Sequence, residues 1–292
     1  MIQTIRPAMP GGNGGYDFLT ADTVDDRYIM GRTDAEYDRL RRQAAVWEPA
    51  TVQVLDDIGI QPGMRCLDVG SGVGSVSALM ASRVGPQGQV VCLDSDSRVG
   101  QIALIDLHRR GYHQVSFKRG DVNHTNEIAP DSFDIVFARF LLLHMIDPAA
   151  TLRRMYGWVK PGGWLVIQDY DCLPLEIHPQ LPLVAEFRRV FFAVMAQTGR
   201  DLRLGLKLRA IFAQAAAGDD VTTRVHARQT TLAEAAEMIA GVYRSVLPMA
   251  LELGVTNDRD GVLAKSILEL PNQNAYAVLW PLLHSAWTRK PA

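Results

Sequence analysis

The segment Leu67-Asp68-Val69-Gly70-Ser71-Gly72-Val73-Gly74 constrains this chain more tightly than any other. It directly follows a short apolar run, Arg65–Val69, and opens a helical pattern, Val73–Val84. A glycine-rich turn in that context is built to hold a ligand against the backbone. Glycines adopt left-handed φ and remove the side chains that would keep a ligand away. The start of the following helix adds unpaired N–H groups.

Two details narrow the ligand. The glycines stand at i, i+2 and i+4, whereas the dinucleotide fingerprint wants i, i+2 and i+5, where this chain has Ser75. Asp68 sits two residues before the first glycine. A carboxylate there repels a pyrophosphate and attracts a cationic amine or sulfonium. Asp94 closes the next apolar run, Gln89–Leu93, and can accept both hydroxyl protons of a ribose. Gly120-Asp121-Val122 follows the run Val115–Lys118. There Asp121 can accept from an exocyclic amine while Val122 packs on a ring.

The surrounding pattern is a regular alternation. Helical stretches at Ser97–Arg110 and from Asp147 to about Val159 separate further apolar runs at Phe133–Ala138 and Trp164–Gln168. Asp147-Pro148 has the form of an N-cap followed by proline at the first helical position. Five short apolar strands alternating with helices predict an α/β fold, with a parallel sheet covered on both faces. A capping-box spacing, Thr33 to Glu36, predicts a helix start, and Pro49 suits the first turn of a second helix. The run Arg39–Arg42 reads as a solvated helix face. Beyond Asp171 the periodicity turns helical at Pro182–Gln197, Leu202–Ala217 and Leu232–Leu253, with strands expected at Val221–Thr230 and Tyr276–Trp287.

Composition excludes several classes. At 292 residues with 48% hydrophobic and 21% charged residues, the chain can bury a large core, which excludes a wholly disordered protein. Lys and Arg number 30 against 32 Asp and Glu, so a chain-wide basic footprint for nucleic acid is missing and no nucleic-acid partner is expected. Cys66, Cys92 and Cys172 form no CxxC pair, a reducing-compartment pattern with neither a disulfide framework nor a zinc site. With no apolar leader region and no long uncharged apolar stretch, the expected location is cytoplasmic, away from membranes.

Asp68-Val69-Gly70-Ser71-Gly72-Val73-Gly74, Asp94, Gly120-Asp121-Val122, Phe133-Asp134-Ile135-Val136 and Leu152 followed by Val159-Lys160-Pro161-Gly162-Gly163 occur in order. Together they resemble the class I S-adenosylmethionine-dependent methyltransferases of the natural-product or small-molecule type. The resemblance covers roughly residues 45–171. It implies a Rossmann-like, mostly parallel sheet of seven strands with an N-terminal helical cap and a helical lid insertion. The implied divisions are a flexible tail at 1–15, the cap at 16–60, the cofactor-binding core at 61–171, the lid at 172–217, and a C-terminal part with a second helical insertion at 218–292. The implied cofactor is S-adenosyl-L-methionine. Asp68 would serve its methionine amine, and Gly70, Ser71, Gly72 and Gly74 would surround the methionine and ribose. Asp94 would bind the ribose hydroxyls, Ser95 would flank the adenine, and Asp121 and Val122 would hold it. Arg139 and Phe140 would line the reactive end, with Tyr28 and Gln43 of the cap at the methionine end.

Methyl transfer needs a nucleophilic acceptor aligned with the sulfonium methyl and water excluded, so no nucleophile motif is required of the chain itself. His144 is the candidate catalytic base, since imidazole ordinarily titrates near neutral pH. Asp169 and Tyr170, at the end of the fifth strand, and His178 beyond it are candidate substrate-binding residues. No metal is expected at Asp169 and Asp171. The apolar residues of the lid suit a largely apolar pocket, a core or a homodimer interface. The expected activity is methyl transfer to an oxygen, nitrogen or carbon of a small, largely apolar metabolite of secondary metabolism. The alternatives are a cofactor-binding catalyst that transfers no methyl, such as a pericyclase or decarboxylase, and a protein methyltransferase.

Overall fold

The structure is a computed structural model, and it describes residues 33–292 except 219. The expectations for residues 1–15 and for Tyr28 lie outside the described residues. Helices are α1 (Asp34–Asp57), α2 (Ser75–Val84), α3 (Ser97–Arg109), α4 (Pro148–Trp158), α5 (Pro182–Gln197), α6 (Leu204–Gln214), α7 (Leu232–Glu252) and α8 (Val262–Leu268). Strands are β1 (Arg65–Val69), β2 (Gln89–Asp94), β3 (Val115–Arg119), β4 (Phe133–Arg139), β5 (Val159–Asp171), β6 (Glu176–His178), β7 (Val221–His226), β8 (Gln229–Thr231), β9 (Ala277–Leu279) and β10 (Leu282–Arg289).

Seven strands form one sheet in the order β3-β2-β1-β4-β5-β10-β7. Pairings from β3 through β5 are parallel, and β10 runs antiparallel to both of its neighbours. The mostly parallel, seven-stranded expectation is met. The central strands are apolar end to end because helices cover both faces: Cys66, Leu67, Val69, Ile135, Val136 and Phe137 are all fully buried. Strand order reverses between β1 and β4. In open α/β sheets that reversal opens a crevice at the carboxyl ends of the strands. The loops after β1 and β4 flank it.

A second core lies above this edge. Trp47 of α1, Val190 and Val194 of α5, Tyr243 and Val246 of α7, and Ile267 of α8 pack with Ile177 and Val278 of a three-stranded sheet ordered β6-β9-β8. This small antiparallel sheet is a departure from the sequence expectation. Val221–Thr230 splits into β7 and β8, which join different sheets, and the stretch Tyr276–Trp287 splits into β9 and β10 at Trp280-Pro281. Proline cannot donate to a ladder, so the break falls there.

Two further boundaries differ. α1 runs through Pro49 as one helix. Trp47, Ala50, Thr51, Val54 and Leu55 form one buried face on either side of the proline, and that burial outweighs the lost backbone bond. Thr33 accepts from Glu36 N at 3.2 Å, but the Glu36 carboxylate turns away from the cap to grip Arg39. That pairing also buries Arg39, so only part of the Arg39–Arg42 run faces solvent.

Gly205, in the first turn of α6, lets that helix lie against the end of β5. A Cβ there would sit 2.5 Å from the Asp169 carbonyl oxygen, a backbone atom that cannot yield. Gly157 in α4 has open space around the same position. Gly205→Ala is expected to lower unfolding free energy by about 1–3 kcal/mol. Gly157→Ala is expected to raise it by about 0.5–1 kcal/mol. Urea unfolding of both variants checks the opposite signs.

Candidate active site

The glycine loop is stitched to the neighbouring strand. Gly70 N and Ser71 N both donate to the Leu93 carbonyl at the end of β2, at 2.8 and 3.2 Å. Gly72 has φ of 49° with nothing within 4 Å of the point where a Cβ would stand, and it lines a cavity. Gly74 has φ of 74° and turns the chain into α2, so that helix begins at Ser75 rather than Val73. A side chain on Gly74 would meet Ala103 and Leu107 of α3 at 3.2 and 3.0 Å.

The cavity holds about 310 Å³ at the carboxyl edge of the sheet. One wall carries Asp68, Gly70, Ser71, Gly72, Asp94, Ser95, Asp121 and Val122. The opposite wall comes from α5 and α7, with Phe187, Phe191, Met195, Met238 and Ile239, closed by Val278 and Trp280. Gln43, Arg139, Phe140, His144 and Tyr170 lie around the same space. The structure therefore gathers most of the sequence-predicted residues. Three described ones lie off the lining. Gly74 packs on α3, Asp169 is wholly buried behind the wall, and His178 is exposed on β6, paired with Ala277.

The acidic wall is held by short bonds. Asp68 is buried and accepts from the Ser77 hydroxyl at 2.5 Å. Burial raises its pKa to about 6, against the Ser77 bond and the nearby Arg139 charge, which lower it. Asp94 accepts from Gly72 N at 2.8 Å and from Asp96 N at 2.9 Å. Asp121 accepts from Asn123 N at 2.8 Å and pairs with His124 Nδ1 at 2.7 Å. A carboxylate oxygen can accept more than one hydrogen bond, so a bonded acid can still receive a hydroxyl or an amine.

At the end of β4, Arg139 donates to the Thr51 hydroxyl at 2.9 Å. Thr51 donates to Gln168 at 2.7 Å, and Gln168 to Ser285 at 2.9 Å. This chain of bonds crosses from α1 through β5 to β10. Desolvation lowers the Arg139 pKa, and the Asp68 carboxylate opposes that. Phe140 follows with φ of 58°, a left-handed conformation unusual for a bulky residue, and its ring stacks on Tyr170 at 4.3 Å. Asp169 accepts from Leu143 N at 3.1 Å and Tyr170 N at 2.9 Å, which pins the loop that carries His144.

His144, the expected base, lies on the cavity lining. Burial, helped by the Arg200 and Arg39 cations, pushes its pKa down to about 3. It is a neutral imidazole at physiological pH and a weaker base than an ordinary histidine.

Thr51, Met238, Ile239 and Trp280 were not singled out in the sequence, and Arg39 was read only as part of a solvated helix face. α7 did carry a signal, since Ala235, Met238, Ile239 and Val242 recur at helical spacing and all line the cavity. That spacing does not say which cavity the face meets. Among the described residues no group of His, Cys, Asp and Glu is arranged to hold a metal ion, and no helix is long and apolar enough to cross a membrane.

Residues 60–225 match the methyltransferase-domain family, which is more than half of the chain, and the chain belongs to that family. Its ordered motifs and sheet are those of the class I, Rossmann-like methyltransferases. It is 31% identical over 139 residues to phosphoethanolamine N-methyltransferase 3 of Arabidopsis thaliana, covering 47% of this chain and 27% of the relative. It is 32% identical over 165 residues to the ubiquinone/menaquinone biosynthesis C-methyltransferase of Shewanella oneidensis, covering 54% and 64%. The chain thus spans between about a quarter and two thirds of the length of these relatives. Among solved structures, the YcgJ protein of Bacillus subtilis superposes with a TM-score of 0.55 at 15% identity, over 83% of this chain and 99% of that one. Haemonchus contortus phosphoethanolamine N-methyltransferase 2, solved with phosphomonomethylethanolamine and S-adenosylhomocysteine, superposes with a TM-score of 0.53 at 20% identity, over 84% and 53%. Both share the fold.

Burial raises the Asp169 pKa to about 7, while the Tyr170 and Leu143 N–H groups lower it less. The folded protein therefore holds this proton at a pH where the unfolded chain, with a carboxyl near 3.8, has released it. The stability it contributes is full below about pH 4 and is lost as pH rises through about 7. Asp169→Asn is expected to flatten that part of the decline. Denaturant midpoints measured from about pH 5 to pH 8 on both proteins check it.

Proposed function

We propose that this chain transfers a methyl group from S-adenosylmethionine to an oxygen, nitrogen or carbon of a small, largely apolar metabolite. One observation carries the reading: a single cavity has the Asp68, Asp94 and Asp121 carboxylates and an open glycine loop at one end and an apolar chamber under α5 and α7 at the other. The residues present fit the cofactor. Gly72 leaves room for a ligand beside the backbone, and Asp68 offers a carboxylate to an amine. Asp94 stands at the end of β2 where a ribose would be received. Asp121 and Val122 would take the adenine. Arg139 and Phe140 would lie at the methionine end, Arg139 offering its guanidinium to a carboxylate.

The bound cofactor would supply an electrophilic methyl on its sulfonium. This chain's part is orientation and exclusion of water. Asp68, Asp94 and Asp121 would hold one end by hydrogen bonds, while the α5 and α7 walls would shed water around the acceptor. A uniformly apolar far wall favours an apolar acceptor, in line with the quinone-pathway relative rather than with phosphoethanolamine.

The deciding experiment is incubation of the protein with methyl-labelled S-adenosylmethionine and an extract of its source organism. Label is expected in the solvent-extractable fraction. Label in protein or nucleic acid would overturn the small-molecule reading. His144 is expected to act as a neutral wall group, so the pH profile of kcat/KM should show no limb near pH 6.5 that depends on it. A limb of that kind, present in the native enzyme and lost in His144→Ala, would restore the role of general base.

A further inference from the structure

We infer that Tyr170 presents its hydroxyl proton to a substrate oxygen, and that Arg39 and Gln43 are positioning residues that aim it. The inference deepens the proposed function and rests on it. Hydrogen-bond polarity fixes the direction of each donor in this network. Glu36 grips Arg39 bidentately, at 2.8 Å to Nε and 2.6 Å to Nη2, and both side chains are nearly inaccessible. The Ser245 hydroxyl of α7 also bonds Glu36, which ties the pair to the chamber wall. Arg39 Nη1 then donates to Gln43 Oε1 at 3.0 Å. A guanidinium has donors and no acceptor, so the Gln43 amide must turn its oxygen to Arg39. Its NH2 group is thereby committed to the other side, where Nε2 donates to Tyr170 Oη at 3.0 Å.

Each step fixes the next. With its oxygen accepting from Gln43, the phenol must direct its own proton elsewhere, and among the described residues none accepts it. Tyr170 lines the cavity at the end of β5, where the glycine-loop wall meets the apolar chamber. Phe140 stacked on one side and the Trp47 edge at 5.9 Å hold the ring. Burial raises the phenol pKa, so the group stays a neutral donor. A buried donor without an acceptor is unfavourable, and a ligand oxygen removes that penalty. Glu36 and Arg39 cancel in charge, and Phe187, Phe191, Met238 and Trp280 offer only apolar surface or a committed N–H, since Trp280 Nε1 donates to Thr230. The matching ligand is an uncharged apolar frame carrying an acceptor oxygen, of which a ketone carbonyl is the simplest form.

The test uses the full chain and two probes with one bicyclic frame, 1-tetralone and tetralin, with and without a carbonyl. S-adenosylhomocysteine is titrated first by calorimetry, then each probe into the loaded protein. The native protein is expected to bind 1-tetralone about three- to tenfold tighter than tetralin. Tyr170→Phe should bring the two probes level. Gln43→Glu should do the same at nearly constant side-chain size, because a carboxylate accepts from Arg39 and from Tyr170 and draws the phenol proton away from the cavity. Equal binding of the probes by the native protein, or a preference that survives in both variants, overturns the inference and leaves the proposed function standing. Variants that lose S-adenosylhomocysteine along with the preference also overturn it, since these residues would then serve the cofactor wall. A native protein that binds no S-adenosylhomocysteine overturns the proposed function, and the inference falls with it.

Discussion

Asp68 and Ser77 bracket the glycine loop from its two ends. The carboxylate closes β1, the hydroxyl stands in the first turn of α2, and the 2.5 Å bond between them is fully buried. A buried carboxylate is tolerated only when donors satisfy it, so this bond is a condition for the loop's shape. With its ends fixed there and its middle hung from Leu93, the loop has little freedom left, and its left-handed glycines lie where the sheet order reverses. The rest of the acidic wall follows. Asp94 bonds Gly72 N because the loop brings that N–H to the end of β2.

The same logic extends across the sheet. Arg139, Thr51, Gln168 and Ser285 form a run of bonds that all point one way, from a guanidinium that can only donate. Thr51 sits on α1, two residues beyond Pro49, on the face that Trp47 and Val54 bury. The continuity of α1 through the proline is therefore coupled to the site. Breaking the helix there would withdraw Thr51 from Arg139 and leave a buried guanidinium without its hydroxyl partner.

Legibility in the sequence followed the range of the interactions. The core strands were readable because strands buried on both faces are apolar without interruption. The loop was readable because its acid and glycines lie within a few residues of one another. β6 was not, and β8 and β9 were read only as the ends of longer strands, since three-residue strands carry no periodicity and each is fixed by a partner far away in the chain. Arg39 looked like a surface charge for the same reason. Its burial depends on Gly241 and Ser245 of α7, and a Cβ on Gly241 would press on the Arg39 stem at 3.1 Å. His144 was recognisable as a residue near the site, but its depressed pKa arises from burial and from Arg200 and Arg39, which the linear sequence does not place beside it.

The two halves of the cavity therefore rest on different physics. The glycine-loop half is assembled from backbone N–H groups and acids at strand ends, positions that the sheet itself dictates. The apolar half is assembled from side chains of α5, α7 and the small sheet, which pack as a separate core above the sheet edge. Substitutions within that upper core can reshape the chamber while the Asp68–Ser77 bond and the Asp94–Gly72 bond stay in place. Tyr170 and Phe140 mark the junction, since they extend from the sheet and also pack against the upper core. A group fixed to the sheet at the chamber's edge keeps its distance from the glycine-loop wall as the chamber around it varies.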